Sequence, residues 1–130
     1  MKKIGIKWKA EHMPSQVGKT VIVTGANTGI GYHMVKALAS KGANVIMACR
    51  NLGKANTART EILQAVPEAS IAVEELDLAD LANIESFGQR ITKNHGHIDT
   101  LINNAGVMIP PQSTTVCLLY TSPSPRDCRL

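Results

Sequence analysis

KTVIVTGANTGIGYHMVKAL, Lys19 to Leu38, decides the fold. Its first six residues are mostly β-branched and end at Gly25, which reads as a short strand buried on both faces. Three glycines follow, Gly25, Gly29 and Gly31, and then Ile30, Met34 and Leu38 recur at helical spacing until Gly42. That pattern predicts a helix with one apolar stripe. A strand, a glycine-rich turn and a helix therefore stand in immediate succession. The same stretch contains Tyr32 and Lys36, a Tyr-x-x-x-Lys spacing that raises the question of whether catalytic groups sit here too.

Outward from this unit the alternation continues. Ala43 to Cys49 is a second apolar strand, and Asn51 to Val66 a second helix stopped by Pro67, which pushes the preceding residue out of helical geometry. Ser70 to Leu76 forms a third strand, and Asp80 caps a third helix predicted to bury Leu81, Ile84, Phe87 and Ile91. His97 to Ile102 gives a fourth strand. The order β-α-β-α-β-α-β with short connections implies an α/β fold, a parallel sheet with right-handed crossovers. The expected architecture is half of a Rossmann-type doubly wound sheet, strand order 3-2-1-4, whose switch point binds ligands beyond the strands' carboxyl ends.

Composition sets the outer bounds. At 130 residues, 44% hydrophobic and 18% charged, the chain reads as one ordinary globular domain. No apolar run approaches a membrane span, and the start MKKIGIKWKAEHM lacks a signal-peptide core because Lys7 and Lys9 interrupt it. The net charge of +4 sits entirely in Met1 to Lys19, the remainder being balanced. Such an arm can touch nucleic acid or anionic lipid, or be a solvated leader with Trp8 tucked against the domain; the neutral remainder argues against a nucleic-acid partner. Cys49, Cys117 and Cys128 fit no metal or redox spacing, and Cys49 closes an apolar run, so a reducing, cytoplasmic compartment is expected. His95-Gly96-His97 reads as a turn at a helix end in preference to a metal site.

The chemistry concentrates at strand ends. In TGANTGIG, Thr24 to Gly31, glycines let the backbone turn and let a diphosphate approach, while the helix N-terminus supplies N–H donors and partial positive charge. The second strand ends in Cys49-Arg50-Asn51, where a site preferring NAD commonly carries an acid. Arg50 instead suits a 2′-phosphate, a charge-assisted pair worth about 1.5 to 3 kcal/mol, and Lys54 lies one helical turn on. NADP(H) is therefore expected ahead of NAD(H).

TGANTGIG, the Asp77-Leu78 pair after the third strand and NNAG at Asn103 to Gly106 after the fourth resemble the cofactor-side signatures of the short-chain dehydrogenase/reductase family, in order and spacing. WKAEHMP before the first strand and ACRN after the second are similar to its retinol-dehydrogenase-like members, so the resemblance spans about Trp8 to Pro111. It implies an oxidoreductase moving a hydride between nicotinamide and a small carbonyl or alcohol. It also implies a cofactor seat of Gly25, Asn27, Thr28, Gly29, Ile30, Gly31, Arg50, Asp77, Leu78, Asn103, Ala105 and Gly106, with Asp77 and Leu78 flanking adenine and Ile30 toward the nicotinamide. Asp77 can alternatively be a strand-end residue bonding its own loop. Asn103 and Asn104 can tie neighbouring backbone together. A non-catalytic dinucleotide sensor or scaffold is the alternative from another class.

In that family the catalytic tyrosine and lysine lie on a helix well after NNAG. Tyr32 and Lys36 stand beside the phosphate loop, and Tyr120 is followed four residues on by Ser124, so none is expected to catalyse. After Pro111 the helical pattern ceases, and Cys117 to Asp127, CLLYTSPSPRD, resembles the conceptual translation of a sequencing-library transposase adapter over eleven residues. The expected organisation is a basic arm at 1–18, a nucleotide-binding half-domain at 19–112 and a non-native tail at 113–130. The piece is expected to be poorly soluble and inactive alone, with substrate pocket and any homo-oligomer interface lying beyond it.

Overall fold

A computed structural model describes residues 7–106; the expectations for the tail, with Cys117, Tyr120 and Cys128, lie outside the described residues. Among these residues, seven elements follow a 3-10 turn at Ala10–His12: β1 (Thr20–Thr24), α1 (Gly29–Ser40), β2 (Asn44–Cys49), α2 (Leu52–Ala65), β3 (Ser70–Glu75), α3 (Leu81–Asn94) and β4 (Thr100–Ile102). All strand pairs are parallel and the order is β3-β2-β1-β4. This is the Rossmann-type arrangement the alternation predicts. Ile22 sits level with Ile46 on one side and Leu101 on the other, so the carboxyl ends of β1, β2 and β4 emerge together.

Strand alternation divides the core. Val21, Val23, Val45, Met47 and Ile71 point to one face, where α1 and α2 cover them; Ile22, Ile46 and Ala48 point to the other, under Phe87 and Ile91 of α3. β1 is buried throughout and β2 from Val45 onward, which explains why these strands read as unbroken apolar runs. Cys49 is fully buried, as a small hydrophobe would be. From the two faces, Arg59 of α2 donates to the Ile71 carbonyl at 2.8 Å, and Arg90 of α3 donates to the Glu75 carbonyl at 2.8 Å while pairing with Glu74 at 3.1 Å. No helix among the described residues is long and apolar enough to cross a membrane.

Three details depart from the sequence reading. The buried stripe of α1 is Gly31, Val35 and Ala39, with Met34 and Leu38 only flanking it and Ile30 74% exposed. Small residues win because the helix lies close against the sheet and loop. Leu81 is 54% exposed, since α3 packs on the sheet only from Ile84 onward. Trp8 does not tuck in but stands 67% exposed. The arm is instead held by backbone groups: the Gln16 N–H donates to the Lys41 carbonyl at 2.8 Å, and Lys41 Nζ to the Glu11 carbonyl at 3.0 Å.

Candidate functional site

Where the strands end, a cavity of about 520 Å³ opens between the β1–α1 loop, the β2–α2 junction, the β3–α3 loop and the end of β4. Gly25, Asn27, Thr28, Arg50, Asp77, Leu78, Ala105 and Gly106 line it. Gly29 and Ile30 open α1 outside that wall, Gly31 is buried behind it, and Asn103 is exposed beside it. Seven residues outside the expected seat also line the cavity: Thr24, Ala48, Asn51, Lys54, Leu76, Ala79 and Asn104. Lys54 and Asn104 had legible signals: a cation one turn past Arg50, and an amide within NNAG.

The floor is a hydrogen-bonded clip between chain segments about eighty residues apart. Asn104 Nδ2 donates to the carbonyls of Thr24 and Gly25, both at 3.1 Å. Thr24 Oγ1 accepts from the N–H groups of Asn104 and Ala105, both at 3.0 Å. The clip brings Ala105 so close that a Cβ on Gly25 would fall 2.9 Å from its Cα, and Gly25 adopts φ +61°, so glycine is required there twice over. Gly31 solves the opposite side: a Cβ there would lie 2.5 Å from Asn104 Nδ2 and 2.6 Å from the Gly25 carbonyl oxygen.

The N-terminus of α1 is electrostatically bare. Thr28 supplies no side-chain cap and no acid occupies the first turn. The first backbone bond runs from the Tyr32 N–H to the Thr28 carbonyl, leaving the Gly29, Ile30 and Gly31 N–H groups without partners among the described residues. Such a terminus attracts anions. Below the loop, burial pushes the Cys49 thiol up, against a weaker opposing pull from the Ala26 and Asn27 N–H groups, so it remains a neutral prop.

On the cation side, Arg50 is exposed and Asn51 caps α2, its Oδ1 accepting from the Lys54 N–H at 3.0 Å. Opposite, the Asp77 N–H donates to Asn83 Oδ1 at 2.7 Å and Asp77 Oδ1 accepts from Ala79 at 3.0 Å. Asp77 Oδ2 and the Leu78 N–H have no partner among the described residues.

Tyr32 lies elsewhere. It packs beside the core cluster, edge-on to His33 at 5.3 Å. Partial burial, and then the neighbouring Glu61 carboxylate, push its phenol above the ordinary value, the reverse of what proton transfer near neutrality needs.

The family profile described as short chain dehydrogenase matches residues 19–118. Retinol dehydrogenase 13 of Mus musculus is 46% identical over 98 residues, which are 75% of this chain and 29% of that protein. Among solved structures, an uncharacterised protein from Mycobacterium paratuberculosis superposes with a TM-score of 0.71 and 38% identity, covering 84% of this chain and 37% of that one. A metagenomic short-chain oxidoreductase in complex with NADP gives 0.65 and 34%, over 71% of this chain and 41% of that one. The chain thus spans under a third of the length of the mouse relative.

Proposed function

The chain belongs to the short-chain dehydrogenase/reductase family, and from that premise we propose that the complete protein is an NADP(H)-dependent oxidoreductase acting on a small carbonyl or alcohol. Retinol, in the mouse relative's name, belongs to that alcohol class. When bound, the nicotinamide would supply the hydride. The residues of this chain bind and orient it.

One observation carries the cofactor choice: Arg50 and Lys54 line the same cavity that the phosphate loop opens into, with no acid at the end of β2. The bare N–H groups of Gly29, Ile30 and Gly31 suit the diphosphate. Arg50, with Lys54 behind it, suits a 2′-phosphate, which two vicinal hydroxyls would not repay. Asp77 Oδ2 is a free acceptor and the Leu78 N–H a free donor on adjacent residues. That pair complements the 6-amino group and N1 of adenine. Ala105 and Gly106 keep the crevice open on the ribose side, with Asn103 at its rim.

Isothermal calorimetry on the full-length protein tests the reading. NADPH should bind about 10 to 100 times tighter than NADH, and Arg50→Gln should remove most of that preference without weakening NADH. Failure of the wild type to bind either nucleotide refutes it.

A further inference from the structure

The hydrogen bonds around Asp77 form a closed ring that reaches into α3. The Asp77 N–H donates to Asn83 Oδ1 at 2.7 Å, the Asn83 N–H to Asp80 Oδ1 at 3.3 Å, and the Asp80 N–H to the Asp77 carbonyl at 3.1 Å. Asp80 is the N-cap of α3 and Asn83 its third residue. A side chain at that helical position ordinarily returns to the N–H of the cap residue. Here that N–H is already taken by the Asp77 carbonyl, and Asn83 reaches past the cap to the loop.

We infer that Asn83 is a positioning residue that holds the β3–α3 loop in register for recognising a 6-aminopurine. The inference rests on the nucleotide-binding reading above. Asn83 is half-buried, is not in the cavity wall and acts only through Asp77. Its bond fixes the backbone at Asp77, while the Ala79 N–H occupies Asp77 Oδ1. What remains is one acceptor, Asp77 Oδ2, and one donor, the Leu78 N–H, carried on neighbouring residues of a braced turn. A 6-aminopurine presents the matching donor and acceptor. A 6-oxopurine presents an acceptor at position 6 and a donor at N1, so both contacts become repulsive. Discrimination of this kind depends on the two protein groups being held at fixed spacing before binding. Cutting the Asn83 bond opens the ring and leaves the Asp77 N–H without its acceptor.

The test compares NADP+ with its 6-oxo analogue, nicotinamide hypoxanthine dinucleotide phosphate, by calorimetry on the full chain. Wild type should prefer NADP+ by about tenfold or more, and Asn83→Ala should bring the ratio close to one. General loss of structure would weaken both ligands together and leave the ratio alone. Asn83→Asp keeps an acceptor, and an acid is favoured in the first helical turn, so it should retain the wild-type ratio; this variant decides the matter should Asn83→Ala not fold. A wild-type ratio in Asn83→Ala, or a lost ratio in a folded Asn83→Asp, overturns the role of Asn83 alone. Equal binding of both ligands by wild type overturns the purine contact and this inference with it, whereas binding of neither overturns the nucleotide reading itself.

Discussion

Replacing Gly31 by alanine should strike the site from behind, through the wall residues Asn104 and Gly25. The added Cβ would lie 2.5 Å from Asn104 Nδ2, 2.6 Å from the Gly25 carbonyl oxygen and 3.0 Å from the Ala26 Cα. Ordinary contacts of this kind lie near 3.5 to 4.0 Å, so about 1 Å must be found. Asn104 can swing away, but only by giving up its bonds to the Thr24 and Gly25 carbonyls. The Gly25 oxygen and Ala26 Cα are backbone and move only if the loop moves. Overpacking costs about 1 to 3 kcal/mol and two lost hydrogen bonds about 1 each. Alanine's better helix propensity returns about 1 kcal/mol. The balance is a loss of about 2 to 4 kcal/mol, measurable by urea denaturation of the full chain, together with weakened NADPH binding by calorimetry. Since Asn104 carries part of the collision, Asn104→Ala combined with Gly31→Ala should cost about 1 kcal/mol less than the two singles added. A Gly31→Ala protein as stable as wild type, or strict additivity in the cycle, would refute the argument that the loop is clamped between α1 and Asn104.

Two further outcomes follow from the packing. Phe87→Ala should destabilise the fold by about 3 to 5 kcal/mol in the same denaturation assay, because Phe87 fills the face formed by Ile22, Ile46 and Ala48. Tyr32→Phe should leave NADPH binding unchanged. It should also alter the alkaline stability profile: the folded state raises the Tyr32 pKa, so that contribution is complete below the ordinary value of about 10 and is lost as pH rises through the raised value. Denaturation midpoints across that range should fall more steeply in wild type than in Tyr32→Phe, and parallel profiles would count against the Glu61 contact.

Much of this arrangement is legible in the residues themselves. The alternation of β-branched runs with helical stripes marks every element within a few residues and implies a parallel sheet, and the order β3-β2-β1-β4 is that of the doubly wound architecture expected from it. Asp80 as the cap of α3 was readable from its residue type and place, and its carboxylate accepts from Ala82 and Asn83. Residue size misleads where geometry decides. Ile30, Met34 and Leu38 are the large apolar residues of α1, yet Gly31, Val35 and Ala39 face the sheet because the helix must approach closely. Trp8 and Leu81 are apolar and still exposed, since hydrophobicity says nothing of whether a surface lies within reach.

The sequence by itself determined the kind and order of the elements, the glycine-bearing turn and the cationic end of β2, because hydrogen-bonding periods and backbone preferences act over a few neighbouring residues. Only the tertiary structure decided that Asn104 would clasp Thr24 and Gly25 across about eighty residues, and that Arg50, Asp77 and Ala105 would line one cavity. Those contacts depend on which strand ends meet and at what level. Sheet pairing sets that register, and local chain propensity does not encode it.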